Sequence, residues 1–105
     1  MEILETSFFT KQINELLTDE DYMLLQRALV INPLHGAVIQ GGGGLRKIRW
    51  RIDGKGKSGG IRIIYYYVSS DNRVFMVHAY AKGVKDDLTK KERKSLRKLV
   101  KAELS

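Results

Sequence analysis

Cysteine is absent from the sequence, proline occurs once, and no long hydrophobic run is present. Without cysteine the protein forms no disulfide scaffold, binds no zinc through thiolates and has no cysteine nucleophile. Because the sequence has two histidines, we expect no metal site and no cofactor. No segment approaches the roughly 20 apolar residues of a membrane span, and the N-terminus MEILETSFFTKQ lacks the pattern of a secretory signal. We therefore expect a cytoplasmic protein with no membrane contact.

Acidic residues are scarce in the second part of the chain, although the whole chain carries a net charge of +7. Residues 1–36 contain two basic and six acidic residues, whereas residues 37–105 contain 17 basic and six acidic residues. A basic region on a compact domain predicts a polyanionic partner, of which nucleic acid is the most common. The length predicts one domain, residues 1–105, whose small core leaves the functional groups on the surface or in a shallow groove.

Hydrophobic periodicity predicts an α+β fold with the element order β-α-α-β-β-β-α. The predicted architecture is an antiparallel sheet of about four strands packed on an N-terminal helical hairpin and a C-terminal helix. Thr18 is expected to cap the second helix, which Pro33 ends, and Thr89 is expected to form a capping box with Glu92 in the third. All three helices can lie on one face of the sheet, which would leave the other face open.

Cations alternate along two neighbouring strand segments, LRKIRWRI and IRIIYYYV. Residues that pair across strands share a face of the sheet. If the loop DGKGKSGG closes a hairpin with Ile52 opposite Ile61, the helix side carries Ile48, Trp50, Ile63 and Tyr65. In this register Arg51 faces Arg62, Arg49 faces Ile64 and Lys47 faces Tyr66, so the open face carries Lys47, Arg49, Arg51, Arg62 and Tyr66.

The basic segment at residues 45–67 contains seven Lys or Arg and one acid, Asp53. Cations on a flat sheet contact phosphates, and an exposed tyrosine stacks on a base, so this face predicts RNA binding. The alternative is an ordinary charged surface with the tyrosines of YYY in the strand core. Candidate RNA ligands, besides the strand cations, are Arg46, Arg51, Lys55, Lys57 and Tyr66.

The strings GLRKIR, SGGIRIIYY and VHAYAKGVKDDLT, followed by a basic terminal helix, resemble the RelE/HigB-like toxins of bacterial type II toxin–antitoxin modules. The resemblance covers essentially the whole chain and looks closest to the HigB-type branch. It implies a ribosome-dependent endoribonuclease that cuts the mRNA codon in the decoding site. In that reaction the mRNA 2′-hydroxyl attacks its own 3′ phosphate and leaves a 2′,3′-cyclic phosphate and a 5′-hydroxyl. The implied partners are mRNA on the ribosome and a cognate antitoxin that also binds DNA.

The resemblance also implies which residues carry the reaction. Lys47 and Arg49 match the strand cations of the family, as base or charge stabiliser, and Lys47 is the better base because arginine hardly deprotonates. Arg62 matches the arginine that holds the scissile phosphate. Lys82 lies near the cation that protonates or stabilises the leaving group. The stretch GVKDDLT lacks the tyrosine that some RelE toxins have after the last strand, which leaves Tyr66, Tyr80 and His78 open as substitutes.

Two other functions stay open at this point. ParE-like toxins share the fold and bind DNA gyrase without catalysis, but they generally lack the cations that Lys47, Arg49 and Arg62 match. A plain RNA-binding module would bind RNA in a salt-dependent way without cutting it. The segment KKERK is equally consistent with a solvated helix face and a contact with ribosomal RNA. The run GGGG at residues 41–44 predicts a flexible loop rather than an anion cradle.

Overall fold

The computed structural model describes residues 1–51, 60–81, 83 and 87–104, and these form five strands and three helices. The α+β class predicted from the sequence is confirmed. The elements, in chain order, are β1 (Glu2–Glu5), α1 (Ser7–Leu16), α2 (Asp19–Ile31), β2 (Ala37–Val38), β3 (Leu45–Arg51), β4 (Gly60–Val68), β5 (Arg73–Ala81) and α3 (Lys90–Leu104). None of these helices is long and apolar enough to cross a bilayer.

The strands form one mixed sheet in the order β1-β5-β4-β3-β2. The expectation of an antiparallel sheet of about four strands needs two corrections. The two residues of β2 add an edge strand beside β3. β1 pairs with β5 in parallel, with Ile3 opposite Val74. A parallel pair needs a long connection between its strands, and the two helices and three strands between β1 and β5 provide one.

The helix boundaries follow from capping residues. Thr18 caps α2 by accepting a hydrogen bond from the Asp21 amide at 3.1 Å, and Asn32 ends this helix before Pro33. The predicted capping box of α3 is confirmed, because the Thr89 amide donates to Glu92 and the Glu92 amide donates to the Thr89 hydroxyl. Thr6, which was not predicted as a cap, caps α1 in the same way.

The hairpin of β3 and β4 is shifted by two residues from the predicted register. A shift of two leaves every side chain on its predicted face, because strand side chains alternate with a period of two. Hairpin register depends on the connection between the strands, and residues 52–59, which include Ile52 of the predicted pair, lie outside the described residues. The observed pairs are Lys47 with Ile64, Arg49 with Arg62, Trp50 with Ile61 and Arg51 with Gly60.

One face of the sheet is covered by α1 and α2, as predicted. Phe9 and Ile13 of α1 and the stripe of α2 pack there with Ile63 and Tyr65 in the larger core cluster. The hydroxyl of Tyr65 donates to the Pro33 carbonyl and accepts from the Gly36 amide, both at 2.8 Å, which fastens the segment after α2 to the sheet.

The opposite face is covered in part by α3. Leu96, Leu99 and Val100 pack there with Ile64 and Phe75 in a second core cluster. The expectation that all helices lie on one face and leave the other open is therefore wrong. An amphipathic stripe shows that a helix packs, but it does not show on which face. The paired arginines, Arg49 and Arg62, lie on this same face, next to the part that α3 covers.

A β-bulge between β4 and β5 changes the faces of the last β5 residues. Ile64 pairs with His78, whereas the next residue, Tyr65, pairs with Met76. The skipped residue of β5 is Val77, and one extra residue in a strand reverses the facing of the residues beyond it. Tyr80 consequently pairs with Arg62 and lies on the cation-bearing face.

Candidate active site

Three polar side chains form a row across three neighbouring strands. Arg49 of β3 pairs with Arg62 of β4, and Arg62 pairs with Tyr80 of β5. Directly paired residues have Cβ atoms about 4.5–5.5 Å apart, so two guanidinium groups and a phenol share one small area. Paired like charges destabilise a sheet, and a bound anion would relieve that repulsion. The row is therefore suited to an anionic ligand.

Arg62 is the buried cation of this row. The residue is 8% exposed, and its Nε–H finds no hydrogen-bond partner among the residues that the structure describes. A buried donor without a partner costs roughly 1–3 kcal/mol. A phosphate oxygen would satisfy this donor, and arginine binds phosphate through two parallel N–H groups. Arg62 is thus held in the sheet with an N–H group available for an anion.

Lys47 lies beside the row and pairs with Asp87, the residue two positions before Thr89. Its Nζ is 3.3 Å from the Asp87 carboxylate oxygen. The Leu88 amide, which donates to this carboxylate at 2.9 Å, lowers the pKa of Asp87. Burial opposes this effect, and Lys47 and the charge of Arg93 lower the pKa further. Asp87 is thus a carboxylate anion held among cations.

The charges around Tyr80 link the row to α3. Burial raises the pKa of the Tyr80 phenol, the carboxylates of Asp87 and Glu92 raise it further, and the guanidinium groups of Arg62 and Arg49 oppose them. The result is a phenol that stays neutral at physiological pH. A neutral phenol can donate a hydrogen bond or a proton to an oxygen that gains negative charge.

The remaining predicted ligands fall in different places. Arg51 is exposed and follows Arg49 on the same face of β3. Tyr66 shares this face at the other end of β4, where it is half-buried in the cluster under α3. Arg46 lies on the opposite face, and its Nη1 donates to the Gly36 carbonyl at 2.8 Å. The structure therefore separates Arg46 from the row of Arg49, Arg62 and Tyr80, which we call the cation row. Lys55, Lys57 and Lys82 lie outside the described residues.

His78 is half-buried at the edge of the row. Its Nδ1 is 3.0 Å from the amide nitrogen of Gln12, and its ring lies between those of Phe8 and Tyr80, with centroids at 5.7 and 5.5 Å. The Gln12 side chain also accepts from the Ala79 amide at 2.9 Å. The histidine is thus held by α1, as expected for a structural residue, next to the phenol of Tyr80.

Two residues of this site were missed from the sequence. Asp87 was not singled out as a site residue, and Arg93 belongs to the segment KKERK, for which a solvated helix face and a contact with ribosomal RNA were both left open. Asp87 reaches the site through its contact with Lys47, and Arg93 lines the same depression as Lys47, which no local pattern predicts. This depression of about 550 Å³ joins Lys47, Arg49, Asp87 and Arg93. Within the described ranges, no three His, Asp or Glu side chains lie close enough together to hold a metal ion.

Comparison with protein families gives a match over the full length. The family model described as "RelE toxin of RelE / RelB toxin-antitoxin system" matches residues 1–105. The match includes every strand and helix that builds the cation row.

Proposed function

Because the chain belongs to the RelE family of toxins from toxin–antitoxin systems, we propose that it is a ribosome-dependent endoribonuclease that cleaves mRNA in the ribosomal A site. Toxins of this family generally cleave mRNA, and each has an antitoxin partner. The observation that carries the proposal for this chain is the row of Arg49, Arg62 and Tyr80 with Lys47 beside it. The strings GLRKIR and SGGIRIIYY further favour the HigB-type branch.

The reaction is an attack of one RNA hydroxyl on the neighbouring phosphorus. The 2′-oxygen forms a bond to phosphorus and loses its proton, while the bond from phosphorus to the 5′-oxygen of the next nucleotide breaks. The departing oxygen takes up a proton, which gives a 2′,3′-cyclic phosphate and a 5′-hydroxyl. Negative charge increases on the phosphate oxygens in the transition state, and fixed cations that point at those oxygens accelerate the reaction.

We assign the scissile phosphate to Arg62 and Arg49. Arg62 is buried and has an N–H group without a partner in the described part of the chain. A phosphate oxygen would accept a hydrogen bond from this group and so remove the free-energy cost of a buried donor without an acceptor. Arg49 is exposed and pairs directly with Arg62, so it supplies the second charge. Both charges are in position before substrate binds, so little reorganisation is needed during the reaction.

Proton transfer involves the neighbours of this pair. Lys47 is our candidate for the base, and to act as one it must first leave the Asp87 carboxylate, 3.3 Å from its Nζ. Tyr80 is a candidate proton donor because its phenol is neutral and pairs with Arg62. Lys82 follows β5 directly in the sequence, and we retain it as a second candidate for the leaving-group side.

The test is a reconstituted translation reaction in which mRNA 5′ ends are mapped by primer extension, with and without ribosomes. Cuts within codons that require ribosomes are expected. Replacing Arg62 by Lys keeps the charge but removes the two parallel N–H groups, so cleavage should fall about 10²–10³-fold. Arg62→Ala should be at least as damaging, and the Lys variant keeps the test valid if the Ala variant folds poorly.

The matched control is Arg73→Ala, which removes an arginine from the far end of the same sheet. Arg73 pairs with Val68, and its guanidinium contacts Asp71 at 2.6 Å rather than the row. This variant should cut mRNA at the wild-type rate. A folded Arg62→Lys protein with full activity would contradict the site assignment. Intact mRNA with the wild-type protein would contradict the endoribonuclease itself, and inhibition of DNA gyrase would then be measured.

A further inference from the structure

A second depression lies next to the cation row, between α3 and the glycine turn at residues 41–44. Its volume is about 850 Å³. Leu45 and Tyr66 form its floor, and the glycine turn forms one wall. We call it the basic groove, because every charged residue among its described lining residues is a cation. These cations are Lys90, Arg93, Lys94, Arg97, Lys98 and Lys101.

The six cations form one stripe of α3. Their spacing of three and four residues puts them on one side of the helix, over a length of about 17 Å. Like charges four residues apart, such as Lys94 and Lys98, destabilise a helix. The acids of α3, Glu92 and Glu103, do not line the groove. A merely solvated helix face would not need to direct all six cations into one concave surface.

Tyr66 and the glycine turn shape the floor and wall of the groove. Gly44 has φ +101, and a Cβ there would lie 2.6 Å from the Tyr66 ring. A Cβ at Gly43 would lie 2.8 Å from Arg97 Nε, and the Arg97 Nη1 donates to the Gly41 carbonyl at 3.4 Å. The glycines therefore make room for the ring and the guanidinium, which is more than the flexible loop predicted from GGGG.

The basic groove is continuous with the candidate active site. Arg93 lines both the groove and the depression that contains Lys47 and Arg49. A polyanionic strand with one phosphate at Arg49 and Arg62 can therefore pass Arg93 and continue along α3, where the described groove lining contains no acid. Asp87, which lines the depression together with Lys47, lies beside the start of this path.

We propose that the basic groove binds the single-stranded RNA segment next to the cleaved phosphate, with phosphates on the α3 stripe and a base stacked on Tyr66. Single-stranded RNA sites combine a cationic groove with an aromatic platform in this way. An acidic peptide would satisfy the cations but gains no comparable contact with the Tyr66 ring, so RNA is the better fit. The assignment of the strand to the cleaved mRNA rests on the proposed function.

The test uses a fluorescent 2′-O-methyl RNA of about six nucleotides, which lacks the attacking hydroxyl and cannot be cut. Affinity is measured by anisotropy over a series of salt concentrations. Lys94→Ala/Lys98→Ala should weaken binding about tenfold and reduce the salt slope by about 1.4, since each phosphate contact on a single strand contributes about 0.7. Tyr66→Leu should also weaken binding about tenfold, whereas Tyr66→Phe should leave it within about twofold.

The matched control is Lys91→Ala, which removes a cation from the same helix outside the groove. It should change the affinity by less than about twofold, because only screened long-range charge is lost. If Lys91→Ala weakens binding as much as a groove lysine does, net charge explains the binding and the inference is wrong. It is also wrong if a glutamate-rich peptide of equal charge binds more tightly than the RNA.

The groove and the cleavage activity are separable by their results. Arg62→Lys should lose a much larger factor in mRNA cleavage than in affinity for the uncleavable RNA, because the lysine keeps the positive charge that contacts the phosphate. If the wild-type protein does not cut mRNA but binds the RNA through Lys94, Lys98 and Tyr66, the proposed function fails and the groove stands. If the protein cuts mRNA and the groove variants bind like wild type, the groove assignment fails.

Discussion

At the scale of single residues, Asp87 pairs with Lys47, our candidate base, next to the arginines to which we assign the scissile phosphate. Its side chain is 65% exposed and its carboxylate contacts Lys47 at 3.3 Å, so the contact is weak enough to be displaced. The carboxylate also raises the pKa of Tyr80. Asp87 thus holds the Lys47 side chain, and its negative charge disfavours an incoming anion.

We predict that Asp87→Asn binds the uncleavable RNA more tightly than the wild-type protein. Two unit charges about 4 Å apart interact by about 1 kcal/mol in water, which corresponds to roughly fivefold in affinity. The asparagine oxygen can still accept from the Leu88 amide, so the start of α3 should be retained. The control is Asp71→Asn, which breaks the exposed pair with Arg73 at the far end of the sheet. Weaker binding by Asp87→Asn would show that the carboxylate helps to hold the substrate.

Comparison of wild type with Asp87→Asn also measures how Asp87 contributes to stability at different pH values. The pKa of Asp87 is lowered in the folded protein, so its charged form stabilises the fold. This contribution is complete above the ordinary carboxyl value of 3.8 and is lost as the pH falls through the lowered value. The Tm of wild type should therefore exceed that of Asp87→Asn by a constant amount near neutral pH. The difference should shrink in strong acid, and a difference that grows there would contradict this account.

The cations of the candidate active site were predictable, because the alternation of side chains along a strand shows which residues share a face. Lys47, Arg49 and Arg62 were expected on one face, and they lie there. Arg46 lies two positions before Ile48 and therefore shares its face of the sheet, opposite to that of Lys47 and Arg49. The prediction of Arg46 as an RNA ligand relied on its charge alone. Asp87 meets Lys47 across 40 positions of sequence. Such a contact depends on tertiary packing and has no local signal.

At the scale of elements, the glycine turn connects the sheet to the groove. Gly44 combines φ +101 with a close approach to the Tyr66 ring, whereas Gly41 has φ +73 and an ordinary contact, with Arg93 Nε 4.0 Å from the position of a Cβ. An alanine at Gly41 would therefore test backbone strain alone, and an alanine at Gly44 would test strain together with steric overlap.

We predict that Gly44→Ala lowers the free energy of unfolding by about 1–3 kcal/mol and displaces the Tyr66 ring. Gly41→Ala should cost about 1 kcal/mol, because a left-handed conformation is strained for alanine but nothing blocks its Cβ. Chemical denaturation measures both, and the tyrosine side-chain signals in NMR spectra report the ring. Equal costs at both positions, with an unmoved ring, would show that Tyr66 does not need the space above Gly44.

The three helices and the four longer strands followed from local signals, whereas the short edge strand β2 and the arrangement of the elements did not. Thr18, Asn32 and the box of Thr89 and Glu92 determine helix ends through their own side chains, so sequence reasoning located them. The register of β3 on β4 and the side on which α3 packs depend on turns and on the shape of the whole core. The bulge that turns Tyr80 towards Arg62 is also invisible in the sequence, because RVFMVHAYA has an ordinary strand composition.

At the scale of the whole molecule, charge and apolar surface are on different parts. Residues 1–36 hold six of the twelve acids and two of the nineteen basic residues, and they include α2, whose outer side exposes Met23, Leu24, Val30 and Ile31 by about half or more. The cation row and the basic groove belong to the second part. A protein partner can therefore bind through electrostatics on one side or through apolar contact on the other, and salt distinguishes the two.

We predict that the antitoxin neutralises this toxin with an acidic segment over the cation row, so that the Kd of the complex increases steeply with salt. Arg49→Ala should weaken the complex and flatten its salt dependence, because Arg49 is exposed and its charge is available to a partner. Ile31→Ser, on the outer side of α2, should leave both unchanged. Isothermal titration at several salt concentrations measures these effects. A salt-insensitive Kd that depends on Ile31 would instead locate the antitoxin on α2, and it would require inhibition without direct contact with the row.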